Sequence, residues 1–432
     1  MKSKKASVGT MLLFMCWLVY SMSYLGKVNY NATKPLIIEH FGVTKDVAGM
    51  VGTFFFFAYA IGMVLNGIFC KKYNIKWIVF SSLIISSVIN LTIALLPKEM
   101  FWIIKFLWMI NGVALSVLWP SLIRLLSETL PKAKMPSASK VMGTTVATGT
   151  LLIYGLSALF ALFDNFKLSF LVPAIIGPTV AVIWLLRYNS FTAIEKEQEE
   201  LPLTTENKPL EQKKTGGIAK TILAIIICLA FIAVITNLVK DGLTSWASTF
   251  LKEKFKLDDS AAILLSTAIP AMGIAANFLT VWLAGKVKNL ILLEGIFFII
   301  GGLAVALIII LLNTDLVVIT LLCMMLTALI ASGSNNIITS IFPLYMKGKV
   351  NSGLVAGILN GFCYVGSTIS DYGLGAVQEA TGSWSSVFYV LLFACISVIV
   401  VAGIYLLNNV LDKLLIKMFG EDKKKPVKEQ EN

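Results

Sequence analysis

Long runs of apolar residues, separated by short polar segments, recur along almost the whole chain of 432 residues. Most runs hold about twenty residues or more, which is enough for an α-helix to cross a hydrocarbon core of ~30 Å. A helix satisfies its own backbone hydrogen bonds, as a segment in lipid must. The pattern therefore predicts twelve transmembrane helices, at about residues 9–38, 46–69, 77–96, 100–127, 138–163, 168–188, 218–250, 259–285, 289–312, 315–343, 351–378 and 384–411.

The composition agrees with a chain that lies in lipid. Hydrophobic residues make up 57% of it and charged residues 14%, whereas soluble domains carry about 25% charged residues. We therefore predict an all-α membrane protein.

The net charge of +12 comes from lysines in short loops, not from one basic soluble face, so we expect no nucleic-acid partner. Loops rich in lysine indicate the cytoplasmic side of a membrane protein. One side of the predicted bundle holds most of them: Lys71, Lys72, Lys76, Lys132, Lys134, Lys140, Lys286, Lys288, Lys347 and Lys349. We expect a multi-pass protein of a bacterial cell membrane, in contact with the lipid bilayer and with both termini in the cytoplasm.

An internal repeat and two polar segments divide the chain. Lys27 and Asp46 recur 213 residues later as Lys240 and Asp259, and residues 132–137 resemble 347–352. Such self-similarity indicates duplication. We predict an N-terminal six-helix half (1–190), a cytoplasmic linker (191–217), a C-terminal six-helix half (218–412) and a cytoplasmic tail (413–432). Two pseudo-symmetric halves of this kind resemble the major facilitator fold, in which substrate binds between the halves near the membrane midplane.

Charged groups inside membrane helices are costly, so they are the first candidates for function. Lys27 and Lys240 lie well inside predicted helices, at equivalent positions of the repeat. Two cations facing each other from the two halves would suit an anion held between them. The alternative for each is a lysine that extends to the lipid headgroups.

Polar side chains at helical spacing accompany both lysines, and a third set lies on the eleventh predicted helix. Together they predict a hydrated cavity, although tyrosines also form interfacial belts and threonines also bond to their own helix. The candidate cavity residues are Tyr20, Tyr24, Asn31, Tyr59, Trp119, Thr145, Asn237, Asn360 and Tyr364.

Two acidic residues, Asp241 and Asp371, lie inside predicted helices. Asp241 follows Lys240 directly, so on a helix it points ~100° away and is better placed to pair with another element. Asp371 could pair with a lysine, accept a proton when desolvated, or lie in a wet outer vestibule. Both are candidates for coupling or gating. We find no nucleotide-binding loop, metal-ligand cluster or nucleophile–base set, and we expect neither an enzyme nor a metal or cofactor.

These residues resemble the organophosphate:phosphate antiporter family. Tyr20, Tyr24, Lys27, Asn29 and Pro35 fall where that family has Tyr, Tyr, Arg, Asn and Pro. Residues 240–246 look like its Arg-Xaa-Gly-Xaa-Xaa-Asp-Trp segment, and Tyr59, Trp119 and Pro120 also match. Lys105, followed by Phe and Leu, resembles the Arg-Phe-Leu motif of the wider superfamily and is a further gating candidate.

The resemblance implies that Lys27 and Lys240 stand at the family's two phosphate-binding arginines, while Thr145 replaces a histidine of the glycerol-phosphate members. Lysine binds phosphate as a point charge and lacks the guanidinium fork. The lysines therefore reflect either compositional drift, since the chain has only two arginines, or a changed substrate.

The sequence favours a secondary transporter, working by alternating access, for a small organic anion. The resemblance makes a phosphorylated compound exchanged for phosphate the leading prediction, and a monomer the expected state. One alternative is a proton-coupled carboxylate or sugar transporter that uses Asp371. Another is a membrane sensor or receptor that does not transport.

Overall fold

The computed structural model describes residues 2–69, 74–130, 134–199, 216–287, 289–345 and 352–419, and these residues are almost entirely helical. The helices are α1 (Lys2–Ser23), α2 (Leu25–Ala32), α3 (Lys34–Phe41), α4 (Lys45–Phe69), α5 (Ile75–Leu95), α6 (Phe101–Ser116), α7 (Leu118–Thr129), α8 (Met135–Met142), α9 (Thr145–Ala161), α10 (Lys167–Glu199), α11 (Gly216–Phe255), α12 (Asp259–Ser266), α13 (Ala268–Lys286), α14 (Leu290–Leu311), α15 (Val317–Asn336), α16 (Phe342–Tyr345), α17 (Ser352–Thr381) and α18 (Trp384–Phe419).

Eleven segments of the described chain are long and apolar enough to cross a membrane. The twelfth predicted span corresponds to α17, which has 30 residues but carries many polar side chains. Its length suffices to cross a hydrocarbon core, so the predicted twelve-helix architecture is retained.

Several predicted spans are two helices joined by a break, and proline explains three of the breaks. The α6–α7 break at Val117 lies three residues before Pro120, and the α12–α13 break at Thr267 lies three residues before Pro270. Proline removes a backbone donor and clashes with the carbonyl four residues earlier. The third break, between α2 and α3, precedes Pro35. Proline lies in the first turn of α3, where its missing N–H leaves no hydrogen bond unmade.

The helices of the described chain extend into both predicted polar segments. The predicted linker 191–217 is helical at its two ends, because α10 continues through Glu199 and α11 begins at Gly216. Residues 200–215 lie outside the described residues. The predicted tail 413–432 is helical through Phe419, and 420–432 lie outside the description, as does most of the repeated loop segment 347–352.

Two separate hydrophobic cores correspond to the two halves. One is built from residues of α1–α10 and the other from residues of α11–α18, with Ile263 of α12 as an exception that packs into the first core. The halves meet mainly where α4 packs on α17 and α9 packs on α12.

We call the end of the bundle where α1 begins and α18 ends the terminal end, and the opposite end the far end. Among the described residues, hydrogen bonds and ion pairs join the halves at the far end: Lys34 to Asp371, Lys45 to Glu253, Glu39 to Lys252, and Thr53 to the carbonyl of Thr368. Toward the terminal end, by contrast, Gly357 and Gly361 of α17 face open space. Among the described residues, the interior is therefore closed at the far end and open toward the terminal end.

Candidate functional site

A cavity of about 340 Å³ lies between the two halves. This is within the range of small-molecule sites, which occupy about 300–1,000 Å³. Helices α2, α4 and α9 supply its wall from the N-terminal half, and α11, α13, α15 and α17 supply it from the other half. Lys27 and Lys240 both line it, so the structure brings the two predicted cations to one cavity from opposite halves.

Lys27 lies among aromatic rings. Its Nζ is 4.0 Å from the ring centre of Tyr59, 4.8 Å from that of Tyr24 and 5.9 Å from that of Phe55. Ring faces attract a cation, and the Tyr24 and Tyr59 hydroxyls are close enough to interact with the ammonium group. In the described part of the chain no carboxylate pairs with Lys27, so its positive charge is available to an anion.

Lys240 differs from Lys27 because it has an acidic neighbour. Its Nζ lies 3.3 Å from Asp241 Oδ1, and the Ser367 hydroxyl of α17 donates a very short hydrogen bond to Asp241 Oδ2. The prediction that Asp241 pairs away from Lys240 is therefore only half correct. The carboxylate reaches both its neighbour and another helix, because its two oxygens point to different partners.

Amide side chains line the C-terminal half of the cavity. Asn335 Nδ2 donates to Asn237 Oδ1 at 3.3 Å and lies 3.5 Å from Cys363 Sγ. Asn277 and Asn360 line the same space. Amides both donate and accept hydrogen bonds, so this wall can bind hydroxyl groups of a ligand.

Seven of the predicted cavity residues line the cavity, and four do not. Those that do are Lys27, Lys240, Tyr24, Asn31, Asn237, Asn360 and Tyr364. Tyr59 lies directly behind the wall, where it packs against Tyr364 with ring centres 5.0 Å apart. Tyr20 packs on Trp119 with ring centres 4.7 Å apart, in the core of the N-terminal half. These three rings support the wall but do not form it.

Thr145 and Lys105 also lie away from the cavity. Thr145 is fully buried near the start of α9, and its hydroxyl donates to the Met142 carbonyl at 2.6 Å. The alternative considered for threonines, a hydrogen bond to a nearby backbone carbonyl, is therefore the one observed for Thr145. Lys105 of α6 lies 5.3 Å from the ring centre of Phe106, which is itself 40% exposed on the outside of the bundle.

Asp371 lies at the far end, beyond the cavity, in a buried ion pair. Lys34 Nζ of α3 is 2.8 Å from Asp371 Oδ1, and both side chains are fully buried. Lys34 also donates to Ser245 Oγ at 3.2 Å and lies 4.1 Å from the ring centre of Trp246. The outer vestibule considered for Asp371 is thus excluded, because no solvent reaches it in this state.

Small residues bring α4 close enough to α17 to seal this end. A Cβ atom at Gly52 would overlap Asp371 Oδ2, and one at Gly49 would overlap the Asp371 carbonyl. Thr53 accepts from the backbone N–H of Tyr372 at 3.1 Å. We call Lys34, Asp371, Gly49 and Gly52 the far-end seal.

The sequence analysis missed three residues that line the cavity and one that pairs with Asp371. Asn277, Ser332 and Asn335 line the cavity, and a signal for the latter two was the polar run 332–336 inside an otherwise apolar helix. Lys34 lies near the end of the first predicted span, 9–38, and was not among the predicted site residues. Its partner is 337 residues away, which a helical period cannot reveal.

Comparison with known proteins agrees with this architecture. The profile of the Major Facilitator Superfamily matches residues 16–370. The chain is 22% identical over 406 residues to the membrane sensor protein UhpC of Salmonella typhimurium, covering 89% of this chain and 88% of that protein. It is also 22% identical over 412 residues to a probable hexose phosphate transport protein of Chlamydia muridarum, covering 87% and 86%.

A solved structure shares the fold. A bacterial homolog of the human lysosomal transporter Spinster, in an inward-facing and unoccupied conformation, superposes with a TM-score of 0.70 at 15% identity, covering 97% of this chain and 99% of that one. The family profile, the two six-helix halves and the cavity between them lead to one assignment: this chain is a member of the Major Facilitator Superfamily.

Proposed function

We propose that this protein exchanges a phosphorylated sugar for inorganic phosphate across the cell membrane by alternating access. The observation that carries the proposal is the cavity between the halves, to which Lys27 and Lys240 contribute one cation each. The amides of Asn237, Asn335 and Asn360 suit the hydroxyl groups of a sugar. The names of the hexose phosphate and UhpC relatives point to the same class of ligand.

The charges of the cavity suggest how an anion would bind. Lys27 presents an unpaired charge, whereas Asp241 neutralises Lys240. A phosphoryl group entering between them displaces the carboxylate from Lys240 and bonds to both ammonium groups. Because Lys27 and Lys240 belong to different halves, the bound anion holds the halves together, and a ligand shifts a conformational equilibrium in this way only through its different affinity for the two states.

Asp371 has a gating role in this proposal. With the termini in the cytoplasm, the state seen here is open to the cytoplasm and closed at the far end by the Lys34–Asp371 pair. Opening the far end requires that pair to separate. The coupling species is phosphate in the exchange mode, and the monomer contains a complete cavity.

A sensor is the second candidate, because UhpC, a relative over 89% of this chain, is named a membrane sensor. A sensor would bind the ligand in the same cavity without carrying it across the membrane. Binding alone therefore cannot separate the two functions, and flux can.

The test is exchange of radiolabelled phosphate in proteoliposomes loaded with unlabelled phosphate, glucose 6-phosphate, glycerol 3-phosphate, a carboxylate or a neutral sugar. We expect exchange with phosphate and sugar phosphates, and its loss in Lys27→Ala and Lys240→Ala. Lys286→Ala is the matched control, because Lys286 is exposed, with its Nζ 3.8 Å from the ring centre of Trp282.

Thermal unfolding of the same detergent-solubilised variants serves as a second readout. A ligand at 100 times its dissociation constant adds about 2.7 kcal/mol to the stability of the protein. Stabilisation by sugar phosphates without any flux would favour the sensor. Normal exchange in both lysine variants, or stabilisation by carboxylates alone, would contradict the proposal.

A further inference from the structure

Glu294 is a buried carboxyl group that the transport cavity does not use. It lies in α14, four residues after Leu290 opens that helix, and it has no exposed surface. In the described part of the chain, neither of its carboxyl oxygens meets hydrogen-bond geometry with a partner, although the Ser334 hydroxyl lies close enough to interact with the carboxyl group. It therefore stands apart from the other interior acids, Asp241 and Asp371, which are paired with lysines.

Such a group cannot hold a negative charge in the state seen here. Moving an ionised carboxylate from water into an apolar interior is so costly that the group takes up a proton instead. Acids inside membrane proteins are rare and commonly belong to proton pathways. Burial without a counter-ion thus indicates that Glu294 is a neutral carboxylic acid.

The groups around Glu294 offer no compensating charge. The thiols of Cys228 in α11 and Cys363 in α17 are near enough to interact with it electrostatically. The side chain that α15 presents to it is Ser334. On the α18 side, Gly295 lies beside the methyl group of Ala402.

Two hydroxyl groups lie between Glu294 and the cavity wall. Ser334 and Thr236 lie 2.8 Å apart, and either hydroxyl can be the donor. The next residues along their helices, Asn335 and Asn237, are bonded to each other and line the cavity. Polar groups of α15 and α11 are therefore bonded to each other between Glu294 of α14 and the cavity wall.

We propose that Glu294 is a proton-binding site that couples proton movement to transport. It is protonated in the state open at the terminal end. When the C-terminal half rearranges, the Glu294 O–H bond breaks and the proton passes to the Ser334 hydroxyl. Ser334 passes its own proton to Thr236, which is fully buried here, and the same rearrangement exposes Thr236 to cavity water, to which it releases one proton. Glu294 is reprotonated by the same steps in reverse. Each cycle thus releases one proton from Glu294 to water and takes one proton up from water, and both hydroxyl groups are restored.

The coupling inference rests on the transport function proposed above, and the experiment keeps the two apart. Proteoliposomes carry a pH-sensitive dye inside. Radiolabelled phosphate exchange at equal pH tests the proposed transport, while acidification of the lumen during sugar phosphate uptake tests proton coupling. We expect Glu294→Gln, which has the shape of the neutral acid, to keep exchange and to lose the substrate-dependent acidification.

Two further variants sharpen the result. Ser334→Ala keeps the carboxyl but interrupts the relay, and should slow acidification at least tenfold while exchange continues. Glu128→Gln makes the same carboxylate-to-amide change at a surface ion pair with Arg124, and should behave as wild type. Acidification at the wild-type rate in Glu294→Gln would overturn the coupling.

Infrared spectroscopy reads the proton directly, without any flux. We expect the carbonyl stretch of a protonated carboxylic acid in the wild type and its loss in Glu294→Gln. Identical spectra for the two proteins would overturn the site itself. If the wild-type protein shows no phosphate exchange, the proposed transport function is refuted. The infrared spectrum then decides by itself whether Glu294 binds a proton.

Discussion

Lys27 provides the uncompensated positive charge of the cavity wall, because Asp241 offsets Lys240 and the groups around Lys27 are aromatic rings. A hydrogen bond to a charged group contributes about 1.5–3 kcal/mol. We therefore expect the two lysines to contribute unequally to the proposed anion binding, although the repeat makes them equivalent in sequence.

Replacing Lys27 tests this asymmetry. Lys27→Ala should weaken phosphate binding about 10- to 100-fold, since each 1.4 kcal/mol is tenfold in affinity. Lys27→Arg should bind at least as tightly as wild type, because the guanidinium keeps the charge and adds a fork. Titration calorimetry measures both variants. If Lys27→Ala and Lys27→Arg both lost only a small and equal part of the phosphate affinity, Lys27 would not contact the anion.

In the proposed exchange, Asp241 competes with the anion for Lys240. Asp241→Asn removes that competitor, so phosphate should bind about tenfold more tightly, while exchange slows because release becomes harder. Affinity by calorimetry and exchange in proteoliposomes should thus move in opposite directions. Weaker binding in Asp241→Asn would show instead that the carboxylate positions Lys240.

At the scale of helices, α17 combines two tasks that account for its polarity. One stretch lines the cavity through Asn360 and Tyr364, and the other closes on α4 around Asp371. A helix that faces a cavity and a partner helix does not need an apolar surface all round. Because of these polar side chains, α17 is not among the eleven described segments that are apolar enough to span a membrane.

The contact of α4 with α17 should control closure of the far end. Gly52→Ala places a methyl group against Asp371, and overpacking of this kind costs about 1–3 kcal/mol. We expect a longer distance between spin labels on Glu99 and Asp315, which are exposed at the far end of the two halves. Gly357→Ala, on the open face of α17, is the control and should leave that distance unchanged.

The whole molecule is held in its present state by contacts between halves, and the buried Lys34–Asp371 pair is the central one. Removing one partner of a buried ion pair costs about 3–5 kcal/mol, because the other charge is left uncompensated. We therefore predict that the pair acts as a latch on the closed far end.

A double-mutant cycle tests the latch. Asp371→Asn and Lys34→Met should each shift the Glu99–Asp315 spin-label distances toward the open far end. The double variant should shift them by much less than the sum, since neither charge is then left unpaired. Strictly additive shifts would mean that the two residues act independently.

The sequence was sufficient for the architecture, because length, hydropathy and repetition are properties of local segments. Twelve spans, two halves and the pair of lysines at Lys27 and Lys240 could all be predicted before any fold was known. Helical spacing also placed Tyr24 with Lys27, and Asn360 with Tyr364, on shared faces that do line the cavity.

Only the tertiary structure decided which polar residues meet across the halves. Thr145 and Lys105 carry the right chemistry but lie away from the cavity, while Lys34 reaches a partner 337 residues away. Glu294 lies inside the predicted span 289–312 but was not singled out there, and only the packing shows that it is buried without a cation beside it among the described residues. A helical period fixes the direction of a side chain around its own axis, whereas burial and pairing depend on the packing of other helices against it.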